Sequence, residues 1–290
     1  MFHRPILAWA AVGWLAAAGA LARPADFDAA IALYDAGKYS AAQRIFEQIA
    51  AREPDNPEVN FRLGSIALWF DDAGRGRELL EKAVRAKPDD ARYQSALGNA
   101  YGLTAQKAVF FTKFGWARKC RTAYLRAVKL EPENPEWHWS LLGYFMQAPG
   151  IAGGGIDKAY AEAATIRKLS GAEGRIAFAT LDLAEEKFDE AFREFDEVLR
   201  ESPDDFVALY QIGRCSALSG RQLERGRAAL ERCLQLLPPA GAHQPTHANV
   251  HYRLGNVLEK MGHAAAARAE YAAAFKEDPD LRPDKDALKN

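Results

Sequence analysis

Three histidines near the end of the chain have the spacing of candidate metal ligands. His243, His247 and His251 follow one another at intervals of four residues, and imidazoles four residues apart on one helix can share a metal ion. Pro245 interrupts a helix between the first two, however, and no Cys or carboxylate nearby completes a ligand set. We therefore assign no metal ligand, and we keep a metal- or small-ligand-binding protein that uses this cluster as an alternative function.

A glycine-rich segment, Pro149–Gly155, is the second candidate site, because glycine-rich turns before a helix can bind phosphate through their N–H groups. A nucleotide-binding loop also needs a preceding strand and a Gly-Lys-Ser/Thr sequence. Here no strand signal precedes the glycines, and Lys158 follows Gly155 by three residues. We predict a structural loop.

No residue pattern indicates catalysis. The chain has no Gly-x-Ser-x-Gly, no His-Glu-x-x-His, and no Cys beside a plausible base. The adjacent carboxylates Asp71-Asp72, Asp89-Asp90 and Asp204-Asp205 stand at the beginnings of predicted helices, where they would serve as N-caps. We expect a protein that is not an enzyme and that needs no cofactor.

Composition limits the class of protein further. The 290 residues are 49% hydrophobic and 27% charged with a net charge of −1, which excludes a disordered chain. Since no long basic block is apparent, we expect no nucleic-acid partner. Three scattered cysteines, Cys120, Cys215 and Cys233, are too few for a disulfide framework. Their odd number leaves at least one thiol free or paired between chains, and a Cys215–Cys233 bridge stays open.

Residues 1–22 have the parts of a secretory signal peptide. A basic start is followed by the apolar run Ile6–Ala22, which ends in Ala20-Leu21-Ala22. We predict cleavage between Ala22 and Arg23, export, and no integral membrane segment after cleavage. An uncleaved anchor helix is the alternative. No Cys follows the run, so a lipidated N-terminus is not expected.

A repeat organises the rest of the chain. Six similar segments end in prolines at intervals of 34, 44, 71, 35 and 41 residues, which a single period of 34 with insertions explains. The prolines are Pro54, Pro88, Pro132, Pro203, Pro238 and Pro279. The last copy contains Leu254, Gly255, Leu258, Gly262, Ala267, Tyr271, Ala274 and Pro279. Glycine recurs at the same position of the first predicted helix, as Gly64, Gly98, Gly213 and Gly255. Because glycine inside a helix lowers its stability relative to alanine, this recurrence indicates a packing reason.

These motifs resemble the tetratricopeptide repeat (TPR) over about residues 25–279. The resemblance implies an all-α fold, a TPR α-solenoid of about seven helix-turn-helix repeats in a right-handed superhelix with a concave groove. We predict a solenoid over 23–279, insertions near 104–116, 148–155 and 239–246, and a polar tail at 280–290. The fourth copy, with Leu142, Gly143 and Ala159, matches the repeat least well.

The family's groove positions predict where a partner would bind. Carried over to this chain, they are Phe61, Asn99, Tyr210, Arg214, Tyr252 and Asn256. The two-carboxylate clamp of some family members needs a lysine where this chain has Phe61, Ser95, Tyr210 or Tyr252, so that clamp is absent. The remaining aromatic and amide side chains suit an extended or helical peptide.

The insertion in the third repeat carries Phe110, Phe111, Phe114 and Trp116 beside several basic residues. Aromatic residues on helices usually belong to a core, so we predict that these pack on the fourth repeat. An aromatic, basic lip that grips a partner is the alternative.

Together these features predict an exported, non-enzymatic scaffold that binds a protein or peptide partner in its groove. The Pro149-Gly-Ile-Ala-Gly-Gly insertion and the upstream Lys119-Cys120-Arg121 resemble a group of exported bacterial TPR proteins of undefined role, and this resemblance adds a periplasmic location in a Gram-negative bacterium. Besides the metal-binding alternative, a structural spacer in an envelope complex stays open.

Overall fold

The structure is a computed structural model that describes residues 25–239 and 244–281 of the chain. These residues form fourteen α-helices and one short 3-10 helix, Gly150–Ala152, and contain no β-strand. The helices are α1 Ala25–Asp35, α2 Tyr39–Arg52, α3 Pro57–Trp69, α4 Ala73–Ala86, α5 Ala91–Lys107, α6 Phe110–Leu130, α7 Pro135–Gln147, α8 Ile156–Leu169, α9 Gly171–Ala184, α10 Phe188–Glu201, α11 Phe206–Ser219, α12 Leu223–Cys233, α13 His247–Lys260 and α14 Ala264–Glu277. The predicted signal peptide and His243 lie outside the described residues.

Consecutive helices pack in seven pairs, from α1 with α2 to α13 with α14, and each pair also packs on the next. One pair cannot bury its apolar faces alone, and stacking completes the core. The all-α solenoid of seven helical repeats is thereby confirmed.

Side-chain caps begin several of these helices, as the paired carboxylates predicted. Asp72 accepts a hydrogen bond from the backbone N–H of Arg75 at 3.0 Å, and Asp205 accepts one from Ala208 at 2.8 Å. Asp90 does the same for Arg92 at 3.0 Å. Each cap satisfies a backbone donor that the first turn of a helix leaves without a partner.

The four recurring glycines lie where the two helices of a repeat come closest. A Cβ added to Gly98 would lie 2.4 Å from the Tyr124 ring, and one added to Gly255 would lie 2.4 Å from the Tyr271 ring. At the other two positions a leucine takes the place of the tyrosine: a Cβ on Gly64 would lie 2.7 Å from Leu80, and one on Gly213 would lie 2.3 Å from Leu230. Only glycine permits this approach, because the large side chain of the second helix occupies the space of its missing Cβ.

The fourth repeat has a different register from the one that its sequence suggested. Asn60, Gln94 and His138 each bind the backbone carbonyl of the proline six residues earlier, at 3.0, 2.8 and 2.9 Å. These three residues are therefore structurally equivalent, and counting onward from them makes Gly143 the counterpart of Asn99. The assignment of Gly143 to the close-approach position was wrong, and accordingly a Cβ there meets no atom within 4 Å.

The same register places Leu142 where other repeats carry the close-approach glycine. Leu142 is fully buried, and Ala159 and Ala163 of α8 share its core cluster. In this repeat the large side chain therefore lies on the first helix and the small side chains lie on the second, the reverse of the other repeats. A hydrophobic-pattern match to Leu-Gly therefore selected the wrong pair of residues.

The aromatic insertion also differs from its prediction. Phe110 and Phe111 are 68% and 92% exposed, whereas Phe114 packs against the core of repeats three and four. Trp116 stacks on Tyr101 of its own repeat, with ring centroids 5.8 Å apart. Because α6 has 21 residues and α7 has 13, α6 is longer by about 12 Å. Its first turn lacks a partner in α7.

The two ends of the described chain meet. Ser40 at the beginning of α2 donates a hydrogen bond to the Asp280 carboxylate at 2.6 Å. Leu281, which we predicted to belong to the polar tail, is buried against Ala248 and Ala274. Seven repeats therefore curve far enough to bring the last one against the first.

Substitution of Gly98 by alanine tests the close approach. The added methyl would overlap the Tyr124 ring, so we expect the free energy of unfolding to fall by roughly 1–3 kcal/mol. Gly115→Ala on α6 is the matched control, because its Cβ meets nothing within 4 Å; there the better helix propensity of alanine should add up to about 1 kcal/mol. Urea unfolding of both variants measures the difference. A Gly98→Ala protein as stable as Gly115→Ala would contradict the packing account.

Candidate functional site

A cavity of about 470 Å³ lies between α5, α6 and α7. Its sixteen lining residues are Asn99, Gly102, Leu103, Ala105, Gln106, Lys113, Ala117, Cys120, Tyr124, Trp139, Ser140, Gly143, Tyr144, Gln147, Ala148 and Pro149. They combine an apolar floor with amides, hydroxyls and one lysine, which is the usual make-up of a ligand pocket. The bare Gly143 helps to form the space, since the equivalent residue in repeat three is Asn99.

Tyr124 orients the amide of Asn99 in this cavity. The Tyr124 hydroxyl donates to Asn99 Oδ1 at 2.6 Å, which leaves the Asn99 amino group for a ligand. An asparagine and a tyrosine pair in the same way in repeat seven, but there the asparagine donates to the tyrosine hydroxyl. There Asn256 Nδ2 donates to the Tyr271 hydroxyl at 2.9 Å, and Asn256 Oδ1 accepts from Arg253 at 3.4 Å. Asn99 is thus the better placed of the two to bind a peptide backbone.

Ser140 and Trp139 form the α7 wall of the cavity. Ser140 Oγ lies 3.1 Å from Ser95 Oγ on α5 and joins the two repeats. Trp139 donates from its indole nitrogen to Glu173 at 3.4 Å, which holds the ring in place. The wall is therefore fixed from both sides before any ligand binds.

The cavity contains no reactive nucleophile. Burial raises the pKa of the Cys120 thiol to about 12, so the thiol stays protonated at neutral pH. Burial likewise raises the pKa of Tyr124 well above its ordinary value. The arrangement can bind a ligand by shape and hydrogen bonding, and it supplies no group poised for proton or acyl transfer.

Of the six predicted groove residues, only Asn99 lines the cavity. Phe61 stacks on Tyr93, with ring centroids 4.9 Å apart. Tyr210 is only 9% exposed and belongs to a core cluster. Tyr252 packs on the Tyr271 ring at 5.2 Å. The six lie on four helices, and Phe61, Tyr210 and Tyr252 bury much of their surface against their own chain; their role in partner binding stays a prediction.

Sequence reasoning missed most of the cavity wall. Trp139, Ser140, Gly143 and Gln147 all belong to the repeat whose register was misjudged, and Lys113 lies in the insertion. One signal could have found them. His138 stands six residues after a proline, as do Asn60 and Gln94, and aligning these polar residues would have placed the fourth repeat correctly.

The two described histidines of the proposed metal cluster, His247 and His251, have other partners. His247 Nε2 lies 2.8 Å from the Leu236 carbonyl oxygen, and His251 Nδ1 lies 2.6 Å from the Glu270 carboxylate. Across residues 25–239 and 244–281, no group of three His, Cys, Asp or Glu side chains could hold a metal ion. No observation in these ranges favours the metal-binding alternative.

The glycine-rich segment uses its own N–H groups, in agreement with a structural loop. The N–H groups of Gly153, Gly154 and Gly155 donate to backbone carbonyls at 2.8, 3.2 and 2.9 Å. Gly153 and Gly155 adopt φ angles of 88° and 142°, which disfavour other residues. These amides are therefore not directed at a phosphate.

Comparison with known proteins agrees with this architecture. Two tetratricopeptide-repeat family models match residues 33–100 and 248–281. A thermophilic TPR protein of Thermus thermophilus is 21% identical, with a TM-score of 0.54 over 73% of this chain and 98% of that one. A tetratricopeptide repeat protein of Parabacteroides merdae is 16% identical, with a TM-score of 0.54 over 87% of this chain and 92% of that one. The chain thus contains tetratricopeptide repeats at residues 33–100 and 248–281, and its fold is that of a tetratricopeptide-repeat solenoid.

Two further similarities are to parts of larger assemblies. The structure of the anaphase-promoting-complex hetero-tetramer Cut9–Hcn1 matches with a TM-score of 0.52 and 16% identity, over 90% of this chain and 48% of that one. The human NatB auxiliary subunit N-alpha-acetyltransferase 25 is 27% identical over 122 residues, which is 41% of this chain and 11% of that protein. The match thus spans about a tenth of the curated relative. In the described part of the chain, none of the helices has the length and apolar character of a membrane span.

The three cysteines offer a test of the core. All are buried as free thiols, and burial raises the pKa of each to about 12. A thiol whose pKa is raised stays neutral up to that pH, so we expect no fast reaction with a disulfide reagent at pH 8. In denaturant, where a cysteine titrates near 8.5, three thiols should react. A fast thiol in the native protein, or fewer than three after unfolding, would contradict this assignment.

Proposed function

We propose that the protein is an exported, non-enzymatic TPR scaffold that binds a peptide segment of a partner protein in the cavity between α5, α6 and α7. The observation that carries this proposal is the cavity itself, which opens where repeat four has Gly143 in place of a groove side chain. Fold alone does not define function; the chemistry of the cavity wall indicates what the cavity can bind.

That chemistry suits a peptide. Asn99, Gln106 and Gln147 offer amide groups that can pair with a peptide backbone, and Ala105 and Ala117 line an apolar floor for a side chain. The wall is held in place by hydrogen bonds within the chain, which lowers the entropic cost of binding.

The names of two similar proteins are consistent with a scaffold. One is an auxiliary subunit, and another was solved as a hetero-tetramer with a second protein. Both associations come from proteins of low identity, so they support partner binding only as a general class of function.

Export and a periplasmic location are part of the proposal and depend on residues 1–22. Expression of the full chain in a Gram-negative host should yield periplasmic protein that begins at Arg23, because signal peptidase cleaves after the Ala-x-Ala sequence. N-terminal sequencing and intact mass measure this outcome. Membrane-retained protein that still begins at Met1 would instead indicate an anchor helix.

Filling the cavity tests partner binding. Gly143→Leu adds a side chain at a cavity-lining position where a Cβ meets no atom within 4 Å, so we expect the leucine to occupy part of the cavity. We expect affinity capture from envelope extract, quantified by mass spectrometry, to lose at least one partner that the wild type retains.

Gly115→Leu is the matched control, since Gly115 also lies on a helix with open space around its Cβ but does not line the cavity. It should retain the partner, and both variants should keep the wild-type circular dichroism spectrum. Equal recovery by all three proteins would reject the cavity as the binding site and favour a structural spacer.

A further inference from the structure

The cavity has a single charged side chain and no carboxylate. Lys113 is the only Lys, Arg, His, Asp or Glu among its sixteen lining residues. Within residues 25–239 and 244–281, no hydrogen bond or ion pair engages its ammonium group. Asp71 pairs with Lys107 of α5 at 2.8 Å, and Glu173 accepts from the cavity residue Trp139. An anionic group on a ligand would give Lys113 its only counter-charge.

The surrounding sequence is strongly basic although the protein as a whole is not. Residues 91–130, which include α5 and α6, contain eight Lys or Arg and no Asp or Glu, in a chain of net charge −1. Some of these cations are paired with carboxylates of other segments, as Arg126 is with Asp89. Arg118 and Lys119 of α6 have no carboxylate partner among the described residues. Such a concentration of one sign attracts an oppositely charged partner.

An exposed aromatic ring shares a helix face with the α6 residues that line the cavity. On α6, Lys113, Ala117, Cys120 and Tyr124 all line the cavity, and their spacing of three and four residues places them on one helix face. Phe110 precedes Lys113 by three residues on that same face. Its ring is 68% exposed and is supported by Phe114, with centroids 5.3 Å apart.

Phe111, which is the more exposed of the two, follows Phe110 by one residue. One residue turns a helix by about 100°, so Phe111 lies off the cavity face. The two rings meet edge to face, with centroids 5.8 Å apart, but only Phe110 lies on the helix face that lines the cavity. This difference allows the cavity to be tested separately from the tip of the hairpin.

We propose that the cavity selects an acidic peptide segment in which a carboxylate pairs with Lys113 while an apolar side chain packs on Phe110 and the cavity floor. This inference rests on the proposed function and adds the chemical class of the partner. The apolar floor and aromatic ring supply affinity, and the lysine supplies selection by charge.

An anionic membrane surface is the competing occupant, because an exposed aromatic pair beside lysines is also found on membrane-binding tips. Two observations favour a peptide. The cavity is a recess in which Asn99, Gln106 and Gln147 offer amides for a backbone, and Lys113 lines that recess instead of standing at the tip with Phe111.

A phage-displayed library of random 12-residue peptides is the probe, selected against the full folded chain. We expect enriched sequences to combine Asp or Glu with Phe, Leu, Ile or Trp. The highest-ranked peptide is then synthesised with a fluorophore, and its dissociation constant is measured by fluorescence anisotropy at low and high salt. Binding should weaken as salt increases.

Two pairs of variants localise the interaction. Lys113→Glu and Lys129→Glu change the net charge equally on the same helix, but only Lys113 lines the cavity. We expect Lys113→Glu to weaken binding at least fivefold, which corresponds to the loss of one exposed ion pair, and Lys129→Glu to leave it within twofold. Likewise Phe110→Ser should weaken binding, whereas Phe111→Ser should not. Circular dichroism and thermal melting confirm that all four fold.

The other outcomes overturn the inference in distinguishable ways. Peptides that are enriched without acidic residues, and that Gly143→Leu no longer binds, would leave the proposed function intact and reject the acidic partner. Equal effects of Lys113→Glu and Lys129→Glu would show attraction by overall charge without a site. Absence of any enriched peptide, together with Phe111-dependent sedimentation with phosphatidylglycerol vesicles, would reject both proposals in favour of a membrane surface.

Discussion

The close approach of two helices at one glycine is the interaction on which the rest of this structure depends. In four repeats the second helix places a leucine or tyrosine where the first helix has no Cβ. The large side chain fills the space between the helices and sets their separation. These four pairs are therefore built alike, and the rotation that accumulates along the stacked repeats brings Asp280 back to Ser40.

The fourth repeat departs from this rule, and the cavity is the consequence. There Leu142 takes the place of the glycine, and small side chains in α8 accommodate it. In the correct register Gly143 stands on the groove face, at the position where repeat three has Asn99. A site therefore forms where one copy of a repeat is irregular, while regular copies use their aromatic groove residues for packing, as Phe61 does on Tyr93.

The insertion in repeat three contributes the chemistry of the site. Lengthening α5 and α6 leaves Phe110 exposed at the beginning of α6 and places Lys113 in the recess beside Gln147 and Pro149. The same helix is basic throughout, with six Lys or Arg and no acidic residue between 110 and 130. A neutral chain can thus present a locally positive surface beside a recess. Neither the net charge nor the overall composition indicates this local positive surface.

Much of the architecture could be predicted from local pattern. The period of 34 residues, the seven helix pairs, the capping role of Asp72, Asp90 and Asp205, and the contact function of the four glycines all follow from spacing along the chain. Helix periodicity and caps are local properties, and a repeated glycine signals a packing demand wherever it occurs. The structural role of Pro149–Gly155 followed in the same way, from the missing strand and lysine.

The burial of individual side chains, the cavity and the contact between the two ends depend on long-range packing. No local signal distinguishes the buried Tyr210 from an exposed groove residue, because its burial depends on the repeats on either side. Phe110 and Phe114 are both phenylalanines on α6, yet only Phe114 reaches the core. The relative lengths of α6 and α7 determine which α6 side chains are covered. The cavity and the contact between the two ends arise from how repeats stack in space, and spacing along the chain carries no direct record of that stacking.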